Sequence, residues 1–298
     1  MSESRREFQE FLEREVSRVR GVAVPIHSGL LRRALVWKVP VRKLHPNPND
    51  EFCMPEVGPN YDIIASYERH YRRLKDRNTS TAWVMANGRI EPLMVERIRP
   101  DGYMILNGHH RWAGALRAGR KSLPVSLANP VEEKEILRIL DASAHDRRVA
   151  LDLDEVVFAR GDAPAEKKLP FPLSRLYRER LSLGIPALFR FLAVKGYDVW
   201  VYSAEYHSAD YVRALFRMYH APVTGVVTGT GRKAPEGVKA GKQLEEKIRE
   251  KYDLTLHVDR DLVLRIDSRT KGMEEFPLVS GAADGWSGEI MDIVGKMA

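Results

Sequence analysis

Apolar positions in the first half of the chain come in short runs of changing period. Over residues 3–20, Phe8, Phe11, Leu12, Val16 and Val19 recur at helical spacing on a charged background, which predicts an amphipathic helix. Val36 to Val41 reads as a strand, and a Pro/Asn-rich loop runs from His45 to Pro59. Tyr61 to Lys75 reads as a helix. Leu93 to Ile98 and Tyr103 to Leu106 are predicted strands flanking the turn Arg99-Pro100-Asp101-Gly102. After Gly108, Trp112 to Ala118 is a short helix stopped by Gly119, and Pro124 to Leu127 is another strand. Glu132 to Ala142 reads as a connecting helix, and the polar stretch Ser143 to Arg148 as a domain boundary.

Beyond that boundary the rhythm changes. Apolar strands at 149–151, 199–202, 225–227 and 254–258 alternate with helical segments near 182–195, 208–219 and 237–251. This alternation predicts βαβ units and a parallel sheet, with chemistry at the carboxyl ends of the strands. The predicted fold class is therefore α/β: an N-terminal helical extension (1–35), a small α+β domain (36–142) and a Rossmann-like domain (149–298).

Composition narrows the function classes. No run approaches the roughly 18 apolar residues that cross a bilayer, and the charged N-terminus lacks a signal-peptide core, so a cytoplasmic protein is expected. Cys53 is the single cysteine, which excludes an internal disulfide and a cysteine-rich zinc site. Residues 1–148 hold 26 Lys+Arg and 19 Asp+Glu of the chain's 48 and 41, leaving 22 of each for the rest. All the excess positive charge lies in the first half, which suits an anionic partner such as nucleic acid or nucleotide; a solvated basic face accounts for it equally well.

The chemistry-bearing residues of the second half follow its strands. The first strand ends in Leu151-Asp152-Leu153-Asp154. Two carboxylates two residues apart at a strand end can face one pocket, one attacking phosphorus and the other protonating the leaving oxygen and then deprotonating water. A carboxylate approaching a phosphate needs a cation, and Mg²⁺ is the expected cofactor. The second strand delivers Ser203, a hydroxyl for a phosphate oxygen; Lys239 or Lys242 would neutralise that phosphate; the fourth strand delivers Asp259 and Asp261, one of which would complete the metal site.

This order, strand-DxD, strand-Ser, Lys, strand-Asp, resembles the haloacid dehalogenase (HAD) superfamily over roughly residues 149–280. The resemblance implies Asp152 as nucleophile and metal ligand, Asp154 as acid/base and as metal ligand through its backbone carbonyl, and Asp259 as a further metal ligand. It also implies Ser203 and a lysine as phosphate holders. Within the superfamily, Gly196 to Ser203, Arg232-Lys233, Lys239, Tyr252 to Asp259 and Leu278-Val279-Ser280-Gly281 are similar to the phosphatase half of polynucleotide kinase–phosphatase. The chain departs from that pattern at Asp259-Arg260-Asp261, where two adjacent acids are common, and at Glu155-Val156, where Gly-Thr is usual. The short stretch from Ala159 to Leu181 implies a minimal cap and an open site that admits a polymer end.

In the first half the string Gly108-His109-His110-Arg111 stands at a strand-to-helix junction. Glycine lets the backbone approach a phosphate, a helix N-terminus offers free N–H groups, and His and Arg add side-chain donors. With Val39 to Pro48 and Ile90 to Val95, this box resembles the ParB/sulfiredoxin superfamily over about residues 36–128. The resemblance implies a nucleotide, ATP or another, at Gly108, His109, His110 and Arg111. The box matches the kinase branch of that superfamily, for which Glu51 and Glu56 are candidate bases. His109 stands where sulfiredoxin requires Cys, and no Walker-type loop is present.

The expectation is a bifunctional phosphotransfer protein acting on DNA or RNA ends. A ParB-like DNA-binding or nuclease module carrying a HAD domain, and a kinase/phosphatase of a small metabolite, are the alternatives.

Overall fold

The computed structural model describes residues 3–33, 35–75, 91–131, 133–229, 246–279 and 285–297. The chain divides into two compact units, Met1–Asn129 and Pro130–Ala298, and each is taken by itself.

In the first unit, helix α1 (Glu3–Val19) is followed by strand β1 (Val24–Pro25), helix α2 (Leu30–Arg33), β2 (Val36–Pro40) and β3 (Leu44–His45). After α3 (Tyr61–Lys75) come β4 (Leu93–Arg99), β5 (Tyr103–Asn107), α4 (His109–Arg117) and β6 (Ser122–Leu127). The sheet runs β2-β6-β4-β5-β3, with β1 added against β4. Pairings β3/β5 and β4/β6 are parallel, and β2/β6, β4/β5 and β1/β4 antiparallel.

The expected N-terminal extension is corrected here. Phe8, Leu12 and Val16 of α1 are buried in one core with Val95, Ile105, Trp112 and Val125, so the apolar stripe of α1 forms part of the small domain. Helices α3 and α4 pack closely because Gly114 lets them approach: a Cβ there would lie 2.6 Å from Tyr67 Cβ and 3.0 Å from the Ile64 carbonyl oxygen.

The second unit opens with α5 (Glu133–Ala142) and β7 (Arg147–Asp152), then α6 (Leu173–Leu176), α7 (Ile185–Val194), β8 (Tyr197–Ser203), α8 (Ala209–Met218) and β9 (Gly225–Thr228). It closes with β10 (Leu254–Val258), β11 (Leu262–Asp267), β12 (Met273–Pro277) and α9 (Trp286–Lys296). Strand order is β12-β11-β10-β7-β8-β9. The four expected strands are mutually parallel, while β11 and β12 extend the sheet as an antiparallel meander that the sequence reading lacked.

The division falls at Asn129/Pro130 rather than within Ser143–Arg148. The reason is α5, whose Ile136 and Leu140 pack with Trp200 and Tyr252. Behind them, at the amino end of β8, buried Asp198 accepts hydrogen bonds from Tyr252 Oη (2.7 Å) and Ser143 Oγ and pairs with His145 Nδ1 at 2.9 Å. The chain entering β7 is thereby fastened to β8. Residues 159–181 contain one described single-turn helix, α6, and are stitched down by the bridges Phe158–Leu181 and Ala165–Ser182.

Candidate active site and nucleotide-binding turn

Parallel pairing brings the predicted phosphotransfer residues to one edge of the second sheet. Leu151 of β7 is opposite Val258 of β10, and Asp152 is opposite Tyr202 of β8. Asp152, Ser203 and Asp259 therefore end three adjacent strands at the same level. One oxygen of Asp152 accepts from the N–H groups of Asp154 (2.8 Å) and Glu155 (2.7 Å), capping the π-helical turn Leu153–Val157. That turn is the local device that presents two acids from one strand end.

Asp154 faces a different set of partners. Its Oδ2 accepts from the buried Ser203 hydroxyl, and its Oδ1 lies 2.8 Å from His207 Nε2. Burial opposes ionisation of Asp154, but hydrogen bonds from His207 and Ser203 and the charges of His207 and Arg160 outweigh it and hold the carboxyl below its usual range. For His207 burial also opposes charge, and Asp154 outweighs it, raising the imidazole above its ordinary value. The Ser203 hydroxyl also takes the Glu205 N–H at 2.9 Å.

Tyr202 reports the field at this edge. Burial raises its pKa first, followed by the negative charges of Asp152, Asp259 and Glu155. Asp152, Asp259 and Glu155 thus make this edge electronegative, a field that a divalent cation would neutralise. Among the described residues, the three acidic or imidazole ligand atoms that lie within 4.8 Å of one another belong to Asp154, Glu205 and His207. The Asp154 side chain turns to Ser203 and His207, which leaves its backbone carbonyl, not its carboxylate, as the expected metal ligand beside Asp152 and Asp259. Of the two acids after β10, Asp259 directly follows Val258, the partner of Leu151, and its charge acts on Tyr202, whereas the Asp261 carbonyl accepts from Leu278 N–H. Lys239 and Lys242, and the Ser280-Gly281 part of the last expected motif, lie outside the described residues.

Four residues near this edge carried no sequence signal. Glu205 and His207 sit in the turn after Ser203, where only the fold shows which side chains return to the strand end. Arg160 and Arg260 line a small pocket with Glu155, Phe158 and Trp286. Arg260 Nε donates to the Glu155 carbonyl at 2.8 Å.

In the first unit, Gly108 adopts φ 102° at the N-cap of α4. A Cβ there would lie 2.5 Å from Leu93 Cδ2, so both conformation and space require glycine. The predicted box occupies the first turn of α4, and its side chains are committed to protein contacts. His109 Nε2 accepts the Asn47 N–H at 3.1 Å and His110 Nε2 accepts the Asn60 N–H at 3.0 Å. Acceptance at Nε2 places the His109 proton on Nδ1, 3.3 Å from Asp50 Oδ2. Burial, then the neighbouring His110, pushes His109 down to about 3, and burial also lowers His110.

The two histidines therefore pin the 45–60 loop, and their Nε2 atoms are taken up by that loop rather than free for a phosphate. Arg111 donates to the Glu91 carbonyl at 2.9 Å and to the Glu91 carboxylate at 3.2 Å. Glu51 and Glu56 are exposed on the pinned loop. Burial pushes the Cys53 thiol up to about 12, so it stays protonated. What the turn offers an anion is the leading N–H groups of α4.

Residues 61–143 match the family model of the ParB N-terminal domain. The match covers under half of the chain and runs past Asn129 through α5. Two solved structures are similar to the chain, each at 20% identity and a TM-score of 0.23. One is the C-terminally truncated chromosome-partitioning protein ParB from Caulobacter crescentus complexed to the centromeric parS site, covering 37% of this chain and 50% of that one. The other is the same protein complexed with CTP-gamma-S, covering 38% and 56%. The matched region thus spans about half the length of these proteins. No curated protein matches the chain. Among the described residues no helix is long and apolar enough to cross a membrane.

Proposed function

We propose that the second unit is a Mg²⁺-dependent HAD-type phosphatase acting on phosphate ends of nucleic acid, and that the first unit binds a nucleotide at the α4 turn. The observation that carries the phosphatase reading is the alignment of Asp152, Ser203 and Asp259 at the ends of three adjacent parallel strands, with Asp152 oriented by two backbone N–H groups.

In this reading a carboxylate oxygen of Asp152 attacks phosphorus in line and the bond to the leaving oxygen breaks, giving an aspartyl-phosphate. Asp154 stands two residues away, paired with His207 at 2.8 Å. The proton held by the His207 imidazolium passes through Asp154 to the leaving oxygen, and Asp154 takes one back from the water that hydrolyses the acyl phosphate. Asp152, Asp259 and the Asp154 carbonyl are the residues that would hold Mg²⁺, which supplies charge neutralisation between carboxylate and phosphate. Arg160, whose charge is felt at Asp154, is a described cation at the rim for the substrate phosphate.

The test is phosphate release from a 3′-phosphorylated oligonucleotide with Mg²⁺. Asp152→Asn is expected to lower the rate at least about a thousandfold, the scale on which loss of a nucleophile acts. Turnover of a small aryl phosphate with none of the oligonucleotide would move the substrate to small molecules.

For the first unit, phosphoryl transfer is favoured by one feature. His109 and His110 fasten the loop bearing Glu51 and Glu56 against the anion-binding turn, bringing candidate bases to it. ADP formation from ATP that is lost in Glu51→Gln or Glu56→Gln checks this; intact nucleotide binding without turnover would leave a binding module.

A further inference from the structure

The first unit carries a second anion-attracting feature at the end of β5 away from the α4 turn. An open groove of about 650 Å³ is lined by Lys38 and Pro40 of β2, Lys43, Arg97 and Arg99 of β4, and Tyr103. Strand β5 runs from Tyr103 to Asn107, next to Gly108, so groove and box lie roughly 15 Å apart along the strand at 3.3 Å per residue. They are separate places on the unit.

Its charge is one-sided. Arg97 and Arg99 are two residues apart on β4 and share a face of the strand. Asp101 is the acid among the groove's lining residues, and it is paired with Lys43 at 3.2 Å. Lys38, Arg97 and Arg99 make no ion pair with a described carboxylate. Three uncompensated cations on two strands, along an open trough, match repeated negative charges spaced along a chain. A single phosphate would need them to converge, and they are spread over separate strands. Tyr103 and the prolines give the trough an apolar floor against which sugar or base can lie.

We propose that this groove binds the phosphodiester backbone of a nucleic-acid strand, as a contact surface separate from both the α4 turn and the second-unit site. Phosphate contacts of this kind position a strand without reading its sequence, and they weaken with salt as counterions are released.

The experiment is fluorescence anisotropy of the full chain with a labelled 20-nucleotide single strand and its duplex, across a salt series. The triple variant Lys38→Gln/Arg97→Gln/Arg99→Gln is compared with Arg97→Lys/Arg99→Lys, which keeps the charge, and with Arg14→Gln, an exposed cation on α1. Thermal unfolding of each variant confirms that it folds. The triple variant is expected to bind at least tenfold more weakly, with a salt slope lower by about two for either form of nucleic acid. The charge-keeping and Arg14 variants are expected to bind as the parent does, and the probe that binds more tightly identifies the strand form.

Unchanged binding and slope in the triple variant would overturn the proposal, as would an equal loss from Arg14→Gln. So would competition by free nucleoside triphosphate as effective, phosphate for phosphate, as unlabelled oligonucleotide. The result is separable from the phosphatase reading: Asp152→Asn keeps its binding here, and the groove variant keeps its turnover of an aryl phosphate.

Discussion

His109 has an environment that fixes one protonation state, and this makes it a stability sensor. It faces Asn47 N–H, the Asp50 carboxylate, the ring of Phe52 and His110. A second proton would have to go on Nε2, which already accepts a hydrogen bond. With a folded-state pKa near about 3 against 6.5 unfolded, the unfolded chain binds more protons between those values, so stability rises with pH through that window. It is full above about 6.5 and is lost as pH falls, at no more than about 1.4 kcal/mol per pH unit. The protection factors of amides in α4, exchange rates divided into the intrinsic rate at each pH, should therefore fall between pH 7.5 and 5, and His109→Gln should flatten that dependence. A pH dependence unchanged in the variant would remove His109 as the cause. At this scale the strand-end acids and Ser203 were legible, because apolar runs announce where parallel strands stop. His207 and Glu205 were not, since a loop residue shows nothing in sequence of the direction in which it returns. The histidines of the box were legible as a cluster but not in role: only the 45–60 loop, folded back on them, shows that their Nε2 atoms accept its backbone N–H groups.

At the scale of elements, the helices and strands of regular period lay where the sequence placed them, as in Tyr61–Lys75 and Leu254–Val258. The meander β11–β12 was missed because β12, Met-Glu-Glu-Phe-Pro, is charged and mostly exposed at the sheet edge and carries no alternation to detect. Helix α1 was predicted as an element but not as core, since periodicity gives a helix an apolar face without naming what covers it. The tight α3/α4 crossing supplies a test. Gly114→Ala would press a methyl group to 2.6 Å from Tyr67 Cβ and 2.9 Å from Glu68 N. The helices must part, at a cost of about 1–3 kcal/mol, seen as a lower unfolding midpoint with the aryl-phosphate turnover proposed for the second unit unchanged. A midpoint equal to the parent's would show that the helices are not in contact there.

At the scale of the molecule, the chain joins a region matching the ParB N-terminal domain to a second α/β unit. The polar run at 143–148 suggested the join, but the apolar face of α5 belongs with Trp200 and Tyr252, and packing rather than polarity sets the division. The central claim is that Asp152 is a nucleophile. The most direct test is to incubate the full-length protein with a small aryl phosphate and Mg²⁺ and follow product release in the parent, in Asp152→Asn and with excess chelator. Turnover in the parent, abolished both by the substitution and by the chelator, is the predicted result. Turnover that survives in Asp152→Asn, or a parent protein that releases no phosphate from any phosphomonoester, would contradict it.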